Sequence, residues 1–287
     1  MARRRPRRAG APRTPARGVR VSWSGDEHSP ITTMRAWPAA SLAVWAAARD
    51  AGRCAPDDVL HTLGDFAQVH EVDAAETSGD VLSLLDIVSR NAHLAVRMPA
   101  PGDAQGLPPG ALTQAAMTAG EVLLLDPRPV GAEGVVDALA LIPRGTPERC
   151  RWTVLRSETP IAVDRLSSDL PLGELEYELR DAVGETAQII AGLSGARAAS
   201  PADLRDALGA LTEARRIDLP PHDNPRVDRV LASAAQIDAI VALAGSGTLG
   251  VTGAQHDVAD ERLRELASLT RAARTAAINT CIVDYRR

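Results

Sequence analysis

Hydrophobic periodicity changes character once along this chain, near residue 165, and that change constrains the fold more than any other feature. Before it, helix-like and strand-like patterns alternate. After it, every patterned segment repeats with the roughly 3.6-residue period of a helix. In the first part, Pro38 suits a helix start and Ala39 to Arg49 reads as helical. Pro56, followed by Asp57 and Asp58, opens a second helix through about Ala67, with acid at the favourable end of the dipole. Ser78 or Asp80 can cap a third helix, on which Val81, Leu84, Leu85 and Val88 share a face. Leu94, Val96 and Met98 alternate with His93, Ala95 and Arg97, as in a half-buried strand. A Pro/Gly loop from Pro99 to Gly110 leads into a short helix, Ala111 to Ala119. Val122 to Leu125 is an apolar strand. Val135 to Ile142 and Cys150 to Arg156 read as two more strands, joined by a turn around Pro143, Gly145 and Pro147.

Beyond the change, Leu172, Leu175, Leu179, Val183, Thr186, Ile190 and Leu193 keep helical spacing. Ser200-Pro201-Ala202-Asp203 resembles a capping box and starts a helix carried by Leu204, Leu208 and Leu211. Asn224-Pro225 starts another, through Val227, Val230, Leu231, Ala234 and Ile237. A last helix is expected from about Val258 to Cys281. The first part lacks a strict βαβ rhythm. The expectation is therefore an α+β fold: a mixed or partly antiparallel sheet with helices, then a bundle-like helical half. Three segments follow: an Arg-rich arm over residues 1–33, an α+β domain over 34–165, and a helical region over 166–287 packed on it.

The chain contains no lysine; all 32 of its Lys+Arg residues are arginine. Phosphate-loop NTPases, protein kinases and Schiff-base enzymes each need a lysine, so those chemistries are excluded. With an Ala-rich composition and one phenylalanine, Phe66, the arginine usage looks like GC-rich mutational pressure. Charge is uneven. Eight arginines against Asp26 and Glu27 give the first 33 residues +6; with −5 for the whole chain, the remainder carries −11. The arm has no hydrophobic period with which to bury area and reads as disordered. Arg3 to Arg20 are the only candidate for nucleic-acid contact, because the body is acidic and has few aromatic side chains for stacking bases. Met34 opens the first patterned segment and is a candidate first residue. Three cysteines, Cys54, Cys150 and Cys281, lie far apart without a CxxC, as in a reducing compartment. No apolar run reaches the length of a membrane helix, so no membrane association is expected.

Catalytic signatures are weak or missing. Gly245-Ser246-Gly247-Thr248-Leu249-Gly250 matches GxGxxG, but residues 239–244 continue a helical face and no helix starts at Gly250. It reads as an interhelical loop and not as a dinucleotide site. His28, His61, His70, His93, His222 and His256 include no i,i+4 pair, and surface or helix-end positions account for them. Glu174, Glu176 and Glu178 suit the first turns of a helix and read as a solvated face. No GxSxG or SxxK occurs. No catalytic, metal-ligating or cofactor-binding residue is therefore assigned, and no cofactor is expected. Two loops are the better candidates for contact with an anion or a partner. One is Pro99 to Asp103 with Arg97 before it; a helix N-terminus beside an arginine can hold an anion. The other, Arg215 to Arg226, sets rigid prolines beside Arg216, His222, Asp223 and Arg226.

The stretches LAVRMPAPGD, LPPGALTQAAMTAGEVLLL and GVVDALALIPRG, together with the later LPPHDNPRVDRVL, resemble a family of high-GC actinobacterial proteins with no assigned activity. The resemblance implies a bacterial, cytoplasmic protein and nothing about chemistry. The expected role is a non-enzymatic regulatory or scaffold protein that meets a protein partner or a second copy. The alternative is a protein that binds, or an enzyme that acts on, a small anionic molecule through Arg97, Asp103, Arg216, His222, Asp223 and Arg226.

Overall fold

A computed structural model describes residues 34–74, 77–89, 91, 93–129, 131–193, 201–245 and 253–287. The Arg-rich arm, His28 and most of the GxGxxG stretch (residues 246–250) lie outside them. The chain divides into two units, Met1–Ile31 and Thr32–Arg287, and the second contains everything described below.

Six strands form one sheet: β1 (Val69–Ala74), β2 (Thr77–Gly79), β3 (Leu94–Arg97), β4 (Val122–Leu125), β5 (Leu139–Gly145) and β6 (Arg149–Arg156). Their order is β2-β1-β6-β5-β4-β3. Only β1 and β6 run parallel; the other pairs are antiparallel. The α+β expectation therefore holds. Sequence periodicity missed β1 and β2. The turn placed around Pro143–Pro147 is also displaced: Pro143 and Gly145 belong to β5, and Pro147 and Glu148 make the hairpin loop. The reason is the Thr146–Arg149 pair, whose amides each donate to the other's carbonyl at 2.9 and 3.1 Å. A Cβ on Gly145 would lie 2.0 Å from the Arg149 carbonyl oxygen, so the hairpin closes this tightly only with glycine there.

Nine helices are described: α1 (Pro38–Asp50), α2 (Pro56–Gly64), α3 (Val81–Ser89), α4 (Ala111–Ala119), α5 (Val163–Leu166), α6 (Leu172–Leu193), α7 (Pro201–Ala214), α8 (Pro225–Gly245) and α9 (Gly253–Arg286). α1 is buried nearly all round, from Ala39 to Ala48, because its alanines let α2, α3, α9 and the sheet approach closely. The larger core lies between one sheet face and α1, α3, α6, α8 and α9, with Val72, Leu94, Val96, Leu123, Leu141 and Trp152 contributed by the strands. A smaller core on the other face lies under α4 and α5, from Ala95, Val122, Leu124, Ala140 and Ile142.

α9 also closes one edge of the sheet. Among the described residues β3 pairs only with β4. On its free side the Val96 amide donates to Asn279 Oδ1 at 2.8 Å, and Asn279 Nδ2 donates to the Val96 carbonyl at 3.2 Å. One side-chain amide thus stands in for a neighbouring strand, a protection that edge strands need. Two residues on, Met98 N donates to Gln105 Oε1 at 2.8 Å.

Candidate functional site

The two contact loops singled out in the sequence do not meet. Arg97, at the end of β3, is 1% exposed, and its Nη2 donates to the Leu166 carbonyl at 2.8 Å and to Asp169 at 2.5 Å. Asp103 lies against α9, accepting from Ser268 at 3.2 Å and from Arg271 at 3.4 Å. Arg216 pairs with Asp218 at 3.5 Å and Glu213 at 3.9 Å. Arg226 pairs with Glu176 at 2.9 Å. His222 and Asp223 alone share a cleft with each other.

That cleft, of about 520 Å³, is lined by Ala51, Arg53, His222, Asp223, Asn224, Cys281, Asp284 and Tyr285. The proline loop forms one wall because Tyr285 donates to the Pro220 and Pro221 carbonyls at 3.1 and 3.0 Å. Trp45 Nε1 holds the same loop through the Asp218 carbonyl at 2.9 Å. Inside, His222 Nδ1 accepts from Asn224 N, and Nε2 lies 3.2 Å from Asp228. Asn224 donates to Asp284 at 2.9 Å, and Arg53 pairs with Asp223 at 3.2 Å. A second cleft, of about 660 Å³, shares Ala51 and Tyr285 with the first and is lined by Asp50, Asn91, His93, Arg286 and Arg287 among others.

Two sequence expectations need correction. His70 is neither at the surface nor at a helix end; it is buried on β1. Its Nδ1 accepts from Trp152 Nε1 at 3.0 Å, and Nε2 donates to the Leu63 carbonyl at 2.9 Å. Burial pushes its pKa down, so the neutral ring is favoured. Glu176 is not part of a solvated face: its side chain is 13% exposed and pairs with Arg180 on its own helix and with Arg226 and Arg229, which tie α6 to α8. Acids in the core carried no sequence signal. Glu121, just before β4, is fully enclosed, and burial lifts its pKa to about 7. Its Oε2 accepts from the Ala40 amide at 3.1 Å, capping α1 from 81 residues away, because Trp37 offers no side-chain cap. Arg274 of α9 sits 2.6 Å from Asp238 and 4.6 Å from the centre of the Trp37 ring. Charge in this core serves to join α1, β4, α8 and α9. None of these partners is adjacent in sequence, so no local signal could have revealed them.

Burial pushes the thiols of Cys150 and Cys281 up to about 12, far from the thiolate range of a nucleophile. Among the described residues, no three His, Cys, Asp or Glu side chains are grouped so as to hold a metal, and no helix is long and apolar enough to cross a membrane.

One surface went unread. The sheet face that carries α4 and α5 is covered across β3, β4, β5 as far as Ile142, and Leu155 at the end of β6. On β1, and at Arg149 and Arg151 of β6, the same face is bare among the described residues. Arg149 and Arg151 project from β6 and are exposed. Arg144 on β5 lies directly opposite Arg151, and Glu71 on β1 lies on its other side. Val69, Asp73 and Thr153 complete the face. Arg149 pairs with Glu71 at 3.3 Å, with 61% and 37% of the two side chains exposed. The alternation Arg149-Cys150-Arg151-Trp152 carries the signal; placing Arg144 beside it requires the hairpin register.

The chain belongs to the Rv1486c-like family: the model of its N-terminal domain matches residues 39–165 and that of its C-terminal domain matches residues 173–275. It is 30% identical over 285 residues to the uncharacterised protein Rv1486c of Mycobacterium tuberculosis, spanning 85% of this chain and 97% of that one. The uncharacterised protein ML1804 of Mycobacterium leprae is 28% identical over 295 residues, with the same shares covered. The uncharacterised protein MAV321 of Mycobacterium avium is 29% identical over 224 residues, covering 65% of this chain and 70% of the relative. No solved structure matches.

Proposed function

We propose that this protein is a non-enzymatic interaction module of the cytoplasm, a scaffold or regulator that works by binding a protein partner. Residues 34–165 would supply the binding sheet and residues 166–287 its helical support. The observation that carries the reading is the bare end of the sheet face, on β1, β6 and the last residues of β5, where Arg144 and Arg151 stand directly opposite each other. Like charges across a strand pair cost stability, and a partner that neutralises them accounts for their placement. The other ionisable groups described above act as internal fasteners, which also favours a structural role.

The test is recovery of the tagged full-length chain from an actinobacterial host, followed by native sizing. A stoichiometric protein complex that dissociates on charge reversal of the bare face is the expected outcome. The second reading, a small anionic ligand, draws on the cleft containing Arg53, His222 and Asn224. A free monomer in the host extract, together with a large thermal shift by one class of metabolite, would move the assignment there.

A further inference from the structure

The geometry points to an acidic, extended protein segment as the partner chemistry for the bare sheet face, bound along the arginines of β6 and β5. The inference rests on the interaction reading above and adds what that surface recognises. Arg149 and Arg151 are two residues apart on one strand, so their Cα atoms lie about 6.6 Å apart. An extended segment with carboxylates at alternate positions has the same repeat and can meet both guanidiniums at once. Arg144 widens the basic strip, directly across from Arg151. Arginine suits this task because its planar fork donates two parallel hydrogen bonds to one carboxylate.

Charge complementarity argues for such a partner from the surroundings too. Residues 34–287 carry −11, so a strip of three exposed arginines stands out against an acidic body. Glu71 and Asp73, both on β1, fence the strip on one side. That fence admits a narrow acidic segment and opposes a wide polyanion such as nucleic acid. The face also offers no aromatic ring on which bases could stack: Trp152 points into the opposite core.

The test uses the full chain and a labelled peptide of alternating glutamate and threonine, read by fluorescence anisotropy and by hydrogen exchange over β6. The wild-type chain is expected to bind the peptide, less tightly as salt rises, with slowed exchange at residues 149–156. Arg144→Glu, Arg149→Glu and Arg151→Glu together should weaken binding by about tenfold or more. Glu71→Gln with Asp73→Asn should tighten it, a gain that misfolding cannot imitate. Exchange mapping separates the face from the eight arginines of the first 33 residues. The inference is overturned if the peptide fails to bind, if neither the triple nor the double substitution changes the affinity, or if single-stranded RNA and not the peptide protects β6. Peptide binding here without any protein complex in the host would sink the interaction reading while leaving the recognised chemistry intact. A host complex indifferent to these substitutions would do the reverse.

Discussion

At position 121 a carboxyl group meets two opposing demands. Burial raises its pKa from 4.5 to about 7, while the Ala39 and Ala40 amides and Arg274 favour its charged form. The folded state therefore holds a proton that the unfolded chain has released between those two values. Stability from this group is fully present below about pH 4.5 and is lost as pH rises through about 7. Glu121→Gln should raise the melting temperature at pH 8 and change it little at pH 5, with a difference on the order of 3 kcal/mol. His70 works in the opposite direction. Its pKa is lowered, so its contribution is present above 6.5 and lost as pH falls through the depressed value. Melting curves of Glu121→Gln should thus keep an acid-side decline while losing the neutral-range one. Trp152→Phe strands His70 Nδ1 without its donor and should cost about 1–3 kcal/mol, seen as a lower denaturation midpoint at unchanged slope.

Among elements, the β5–β6 hairpin and α9 are the most sensitive to single changes. Gly145→Ala drives a methyl into the Arg149 carbonyl and should destabilise by about 1–3 kcal/mol. Asn279→Leu leaves the Val96 amide and carbonyl buried without partners, and thermal unfolding should register a loss of about 2 kcal/mol or more. Most elements were legible in the sequence because each carries its own period or boundary: Pro38 opens α1, Val81 to Val88 line one face of α3, and Pro225 opens α8. The β1 strand was missed because its alternate positions set exposed Val69 and Asp73 and half-buried Glu71 against buried His70, a polar residue where an apolar one is expected. The β2 strand has only three residues and no period at all. The cleft and the bare face were illegible for a different reason. Both depend on tertiary register, as when Arg53 meets Asp223 across 170 positions.

For the molecule as a whole, the three thiols report on the integrity of one cooperative unit. Cys150 and Cys281 are buried and Cys54 is half-buried; all three are free. A thiol-specific chromophore should titrate Cys54 slowly in the native protein and reach the other two only at the denaturant concentration that melts the fold. Early labelling of Cys281 would mean that the C-terminal end of α9 frays on its own.

The amide of Asn279 has a consequence for behaviour in concentrated solution. By occupying the hydrogen-bonding groups of β3, it denies an incoming chain the row of donors and acceptors that templates polymerisation. The opposite border, three residues of β2, offers too short a ladder to nucleate a fibril. Replacing that one asparagine would therefore leave the longer border unpartnered beneath α9, open to neighbouring copies only when that helix lifts away.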